Sequence, residues 1–181
     1  MYQPVSTNEE RQIFERMYTE SFSEKNYETI ESYKGERMSY LVKNELGEYV
    51  GTFEFVKYNP SFDSTLINPF LFLEHPILLN VPLEDIWEID KVTVKVSERK
   101  NGSLKRVIQS LVDVVKEHNI DFLIAEMNPV FCRALKVEFK IDSIKLSGII
   151  KTSKYPYIPI IIPIKSQQRY VDNYIEKAVI D

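Results

Sequence analysis

Residues 86–102, Ile-Trp-Glu-Ile-Asp-Lys-Val-Thr-Val-Lys-Val-Ser-Glu-Arg-Lys-Asn-Gly, hold the densest chemistry in the chain. A β-branched strand runs into a short polar turn with Arg99 and Gly102, and a helical pattern follows at once. That order lays free backbone N–H groups at a helix start, where a phosphate group is favoured. Gly102 lets the backbone approach such a ligand with no Cβ in the way. Glu88 and Asp90 stand on the strand itself and share a face by two-residue alternation, unless a bulge separates them. A carboxylate at that place is a candidate general base. The alternative is a pair of solvent-facing carboxylates at a strand start.

The flanking pattern supplies the scaffold. A strand is predicted over 87–96 and a helix over about 102–118, with Leu104, Val107, Ile108, Leu111 and Val115 as its apolar stripe. His118-Asn119 end the helix, and Phe122-Leu-Ile-Ala125 read as a buried strand. The helical crossover makes strands 87–96 and 121–126 parallel, and ligands in such sheets sit at the carboxyl ends of the strands. A helix over 130–137, strands over 142–151 and 156–164, and a terminal helix over 166–178 follow. Upstream, Thr7 and Glu10 have capping-box spacing before an amphipathic helix over 8–22. Residues 2–6 read as an edge strand and 23–36 as loop or a second short helix. Residues 38–44 and 49–57 flank a Gly47 turn and read as a hairpin. Residues 58–85 form a long connection with no clear period. No repeat or linker divides the chain, so one domain over residues 1–181 is expected.

Charge and cysteine usage narrow the classes. A net charge of −4 with scattered cations argues against nucleic acid as the partner. A single cysteine, Cys132, makes no internal disulfide, and on an apolar helix it reads as a small core residue. No apolar run reaches the ~18 residues that cross a bilayer, and the N-terminus lacks a signal-peptide pattern. A cytoplasmic protein is expected. With no His/Asp/Glu cluster at ligand spacing and His75 and His118 apart, no metal is expected.

The pattern Glu88-x-x-x-x-x-Val94-x-x-x-x-Arg99-x-x-Gly102 resembles the GNAT superfamily of acyl-CoA-dependent N-acyltransferases. In that family a Glu precedes a Val-x-Pro-x-x-Arg/Gln-x-x-Gly-x-Gly/Ala turn by six residues. The resemblance implies an α/β (α+β) fold: a mixed, mostly antiparallel sheet with a parallel splayed strand pair, flanked by helices. It implies acetyl-CoA or another acyl-CoA as cosubstrate. Val94 and Val96 would meet the pantetheine arm, the turn Arg99, Lys100, Asn101, Gly102, Ser103 and Leu104 the pyrophosphate, and Asn128, which matches the family's Asn, would join them in binding the cofactor. Glu88 takes the place of the family's base, with Asp90 beside it. Leu104 stands where a second small residue is usual, and Val96 replaces the common proline. The family's thiolate-protonating Tyr is unmatched, with Ala134 or Leu135 in its place, and Glu138 precedes Phe139 where Gly-Phe is usual. Tyr155 and Tyr157 beside the final strand are the replacements on offer for that donor, or packing elements around Pro156 and Pro159.

Phe70, Leu71, Phe72, Leu73, Ile77, Leu78 and Leu79 in the long connection carry more apolar surface than a loop needs. They either wall a pocket for a long acyl chain, as in the related acyl-homoserine-lactone and N-acyl-amino-acid synthases, or pack on the sheet or in a homodimer interface; packing is favoured. Three readings stand. The first is an acetyltransferase acting on a primary amine of a small molecule or protein. The second is an N-acyl synthase with long-chain donors. The third is a silent module of the same fold that binds a partner.

Overall fold

A computed structural model describes residues 1–24, 35–60, 64–153 and 155–167. Its elements are β1 (Tyr2–Pro4), α1 (Asn8–Ser23), β2 (Arg37–Lys43), β3 (Tyr49–Lys57), α2 (Phe70–Leu73), β4 (Ile86–Val94), α3 (Ser103–Glu117), β5 (Phe122–Met127), α4 (Pro129–Val137), β6 (Ile144–Lys145), β7 (Ile150–Lys151) and β8 (Pro156–Pro163). The strands make an eight-stranded sheet in the order β1-β2-β3-β4-β5-β8-β6, with β7 paired to β8 off that path. β4 and β5 are parallel, as the helical crossover requires, whereas β1–β2, β2–β3, β5–β8, β6–β8 and β7–β8 are antiparallel. The class is the expected one, a mixed and mostly antiparallel sheet flanked by helices. Contacts group the chain into two compact units, Met1–Val56 with Ile89–His118, and Lys57–Glu88 with Asn119–Asp181.

In the first unit, α1 starts where Thr7 and Glu10 predict. Thr7 Oγ1 accepts from the Glu10 amide at 3.2 Å, and Glu10 Oε2 accepts from the Thr7 amide at 2.9 Å. The Ser6 amide also donates to Glu10, at 2.8 Å, and such bonds hold the Glu10 carboxyl down to about 2. A carboxyl with a depressed folded pKa stabilises the fold above its unfolded value, and that gain disappears as pH falls through the folded value. Glu10→Gln is therefore expected to lower the melting temperature at pH 7. The gap to wild type should close between pH 4.5 and about 2; a gap that stays constant through that window contradicts the capping role.

The apolar stripe of α1 buries Phe14 and Met17 with Leu41 of β2. The hairpin forms as expected: Asn44 Oδ1 accepts from the amides of Leu46 and Glu48, and Gly47 takes φ +80°. Gly51 of β3 has a different task. A Cβ there would lie 2.3 Å from Val107 Cγ2 of α3 and 2.6 Å from the Thr93 carbonyl oxygen of β4. Only glycine lets α3 and β4 come so close to β3.

In the second unit the long connection is part of the core. Tyr58, Leu66, Phe72 and Leu78 pack with Ile86, Ile124 and Ile161 of β4, β5 and β8, and Leu71, Leu73, Ile77 and Val81 close around them. Leu71, Phe72, Leu73, Ile77 and Leu78 are thus spent on the core, whereas Leu79 stays exposed. Among the described residues of the connection lie α2 and a 3₁₀ turn, Leu83–Asp85.

Two boundaries differ from the sequence pattern. The strand expected over 87–96 stops at Val94: the Lys95 amide makes a last bond to Val50 O at 2.9 Å, and a 3₁₀ turn, Val96–Glu98, follows. Val96 is therefore off the strand and 44% exposed. The strand expected over 142–151 breaks into β6 and β7. Between the pairs Lys145↔Ile160 and Ile150↔Tyr157 the β6–β7 segment carries two more residues than β8. Pro159 lies in that gap and has no N–H to give the ladder. The terminal helix and most of 23–36 fall outside the described residues.

Candidate functional site

The turn after β4 is rich in cations. Residues 95–106 carry Lys95, Arg99, Lys100, Lys105 and Arg106 against one carboxylate, Glu98. Lys100 and Gly102 take φ +75° and +78°, which folds the chain tightly ahead of α3. Among the described residues no side chain caps α3 at Gly102, whereas α1 has its capping box and Asn128 caps α4. The start of α3 thus presents amides and the positive end of the helix dipole without a side-chain cap, and the Glu98 carboxylate stands beside it, accepting from Ser103 Oγ at 3.4 Å. Nothing lies within 4 Å of a Cβ placed on Gly102, so the space above the turn is open. Lys100, Asn101 and Gly102 are exposed, Ser103 is buried and Leu104 is half-buried.

Arg99 faces inward. Its Nε donates to Val94 O at 3.4 Å, one terminal nitrogen donates to Ser21 Oγ at 2.9 Å, and the other pairs with Glu24. It braces the turn against the end of α1, and Val94 lies half-buried where that brace meets the strand. β4 is itself bent at Lys91, which holds φ +49°. The Lys91 ammonium lies 3.2 Å from Glu54 Oε1 and 3.4 Å from Glu15, and 5.6 Å from the ring centres of Phe14 and Tyr18. Glu54 is fully buried; its Oε1 meets Lys91 as an ion pair without hydrogen-bond alignment, while Oε2 accepts from Ser39 Oγ. Arg11 completes the cluster at 3.5 Å from Glu54. Asp90, half-buried, precedes the bend.

In the second unit, Glu88 is completely buried, which overturns the solvent-facing alternative. Its Oε1 accepts from Ser64 Oγ at 2.7 Å, and its Oε2 accepts from the Thr65 amide and Thr65 Oγ1 at 2.8 and 2.7 Å. Burial pushes its carboxyl up, against the pull of those three bonds, and Glu126 adds repulsion. Glu126 of β5 grips the same loop from the amides of Ile67 and Asn68, at 2.8 and 3.0 Å. Sequence reasoning missed Glu126, Ser64 and Thr65. The one available signal was a single carboxylate in the otherwise apolar run Phe122–Met127.

Tyr157 is buried on β8, and desolvation, with Glu126 nearby, raises its hydroxyl so that it stays protonated. Asn128 uses its side-chain oxygen on the Val130 amide at 2.9 Å, as the cap of α4. Cys132 is buried, as its place on the apolar face of α4 implied.

No protein-family model matches the sequence, and no curated protein is similar to it at sequence level. Solved structures are similar in fold. The chain resembles FeeM, an N-acyl amino acid synthase from uncultured soil microbes, at 12% identity and TM-score 0.67, over 94% of this chain and 93% of that one. It resembles BjaI, a CoA-dependent acyl-homoserine lactone synthase solved with SAM and isopentyl-CoA, at 14% identity and TM-score 0.67, over 92% and 78%. A GNAT-family acetyltransferase from Staphylococcus aureus matches at 10% identity and TM-score 0.57, over 91% and 99%. The chain has the fold of these N-acyltransferases.

Proposed function

We propose that the chain is a CoA-dependent N-acyltransferase, moving an acetyl group from acetyl-CoA to a primary amine. The observation that carries this reading is the uncapped start of α3, preceded by left-handed Gly102 with open space above it and with Lys95, Lys100 and Lys105 in the same segment. The amides of the turn and of Ser103 and Leu104 would hold the CoA pyrophosphate, with Lys100 and Asn101 on its exposed rim. Arg99 acts as the brace that fixes the turn. Val94 would meet the pantetheine arm, and Val96, on the exposed 3₁₀ turn, would meet the donor nearer its phosphates. Asn128 sets the start of α4. The acceptor nitrogen must lose a proton as it attacks the thioester carbonyl, and Glu88, with Asp90 as the second carboxylate, would take it. The departing thiolate needs a proton, for which Tyr157 keeps its hydroxyl hydrogen.

A second reading, an N-acyl synthase with longer acyl donors, is supported by the higher TM-scores of the two synthases. The packing of Leu71, Phe72, Leu73, Ile77 and Leu78 into the core weighs against it. CoA release from acetyl-CoA and from decanoyl-CoA, with and without a panel of primary amines, separates the two. Amine-dependent release from acetyl-CoA is expected. Release only from decanoyl-CoA favours the synthase, and no amine-dependent release from either contradicts both.

A further inference from the structure

Glu88 has no exposed surface, yet a base must reach the proton that it removes. The groups that donate to its carboxylate belong to Ser64 and Thr65, which, unlike Glu88, are only half-buried. The two carboxylate oxygens differ. Oε2 already accepts two bonds, from the Thr65 amide and hydroxyl, whereas Oε1 accepts one, from Ser64 Oγ at 2.7 Å. Oε1 is therefore the more basic oxygen, and Ser64 stands in front of it. The Ser64 oxygen also accepts from the Leu66 amide at 3.1 Å, which fixes its orientation and leaves one lone pair free.

Resting on the N-acyltransferase reading, we propose that Ser64 is the proton relay between the acceptor amine and Glu88. The amine nitrogen attacks the thioester carbon, forming the C–N bond as the carbonyl pair moves to oxygen. Its N–H proton passes to Ser64 Oγ while the Ser64 proton passes to Glu88 Oε1. Collapse of the adduct restores C=O and breaks C–S, the electron pair leaving on the CoA thiolate. Ser64 ends unchanged, Glu88 ends protonated, and it returns its proton to solvent by the same path. Among the described residues Glu126, across the loop, repels the Glu88 charge, and Glu88 in turn acts on Tyr58, whose hydroxyl donates to Pro69 O at 2.7 Å.

The test compares wild type, Ser64→Ala, Ser64→Thr, Glu88→Gln and the Ser64→Ala/Glu88→Gln double variant. The readouts are kcat over pH, KM for the donor, and melting temperature. A relay predicts that Ser64→Ala lowers kcat about 100-fold with donor KM nearly unchanged, since a positioned base contributes roughly 10²-fold or more. The double variant should be no slower than Glu88→Gln, because the two groups act as one unit. Ser64→Thr, which keeps the hydroxyl, should recover most of the rate. If the hydroxyl only anchors the loop, Ser64→Ala loses stability while kcat of the folded enzyme holds, and the relay is overturned. Should Ser64→Ala not fold, rates of wild type in mixtures of H₂O and D₂O decide: a curved dependence supports two protons in flight, and a linear or absent one overturns the relay. Wild type without amine-dependent CoA release would instead overturn the acyltransferase reading, and the relay with it.

Discussion

Lys91→Met is expected to lower folding stability by about 3 kcal/mol, because it removes one partner of a buried ion pair. The Lys91 side chain is 9% exposed and that of Glu54 1%. Methionine keeps the bulk against Phe14 and Tyr18 but leaves Glu54 with only Ser39 and the more distant Arg11. Salt screens such a buried pair weakly, so the loss should persist at 1 M salt. A Lys91→Met/Glu54→Gln double variant should regain much of the loss, since no uncompensated charge then stays inside. Both variants keep the left-handed backbone at residue 91, so the comparison isolates the charge. Urea unfolding at pH 7 measures it. A loss below about 1 kcal/mol, or a double variant worse than both single ones, contradicts the pair as the element that holds the β4 bend.

Gly102→Glu is expected to abolish stabilisation by CoA. Residue 102 has φ +78°, so any L side chain adds about 1 kcal/mol of backbone strain. Nothing crowds the new side chain, and a carboxylate at the start of α3 suits the helix dipole. The variant should therefore fold, with its charge sitting where the donor's phosphates would go. Gly102→Asn, which tolerates the left-handed region, is the uncharged control and should retain binding. A Glu variant with an undiminished CoA response rules this turn out as the phosphate site.

The elements with local signals were legible in the sequence. Thr7 and Glu10 announce α1 within one turn, Gly47 announces the hairpin, and the strand–turn–helix at 86–117 announces the crossover and the parallel pair. What escaped depends on distant partners. Whether Glu88 was a base or a solvent-facing carboxylate stayed open in the sequence because its donors, Ser64 and Thr65, lie 24 and 23 residues upstream in a connection without a period. Arg99 looked like a phosphate ligand because the glutamate that engages it is 75 residues away, at the end of α1. The split of β6 from β7 follows from a register mismatch opposite Pro159, which no count along one strand reveals. The roles of the site residues were carried by resemblance, and the geometry adds to them the open helix start and the buried carboxylate.

Thermal unfolding of wild type during titration with free CoA, acetyl-CoA and decanoyl-CoA decides whether the α3 start holds the phosphates of an acyl-CoA. A ligand at about 100 times its Kd adds roughly 2.7 kcal/mol to the folded state. The phosphates are common to all three, so a saturable rise is predicted with free CoA itself, and an equal or larger one with acetyl-CoA. No shift with any of the three would contradict that placement.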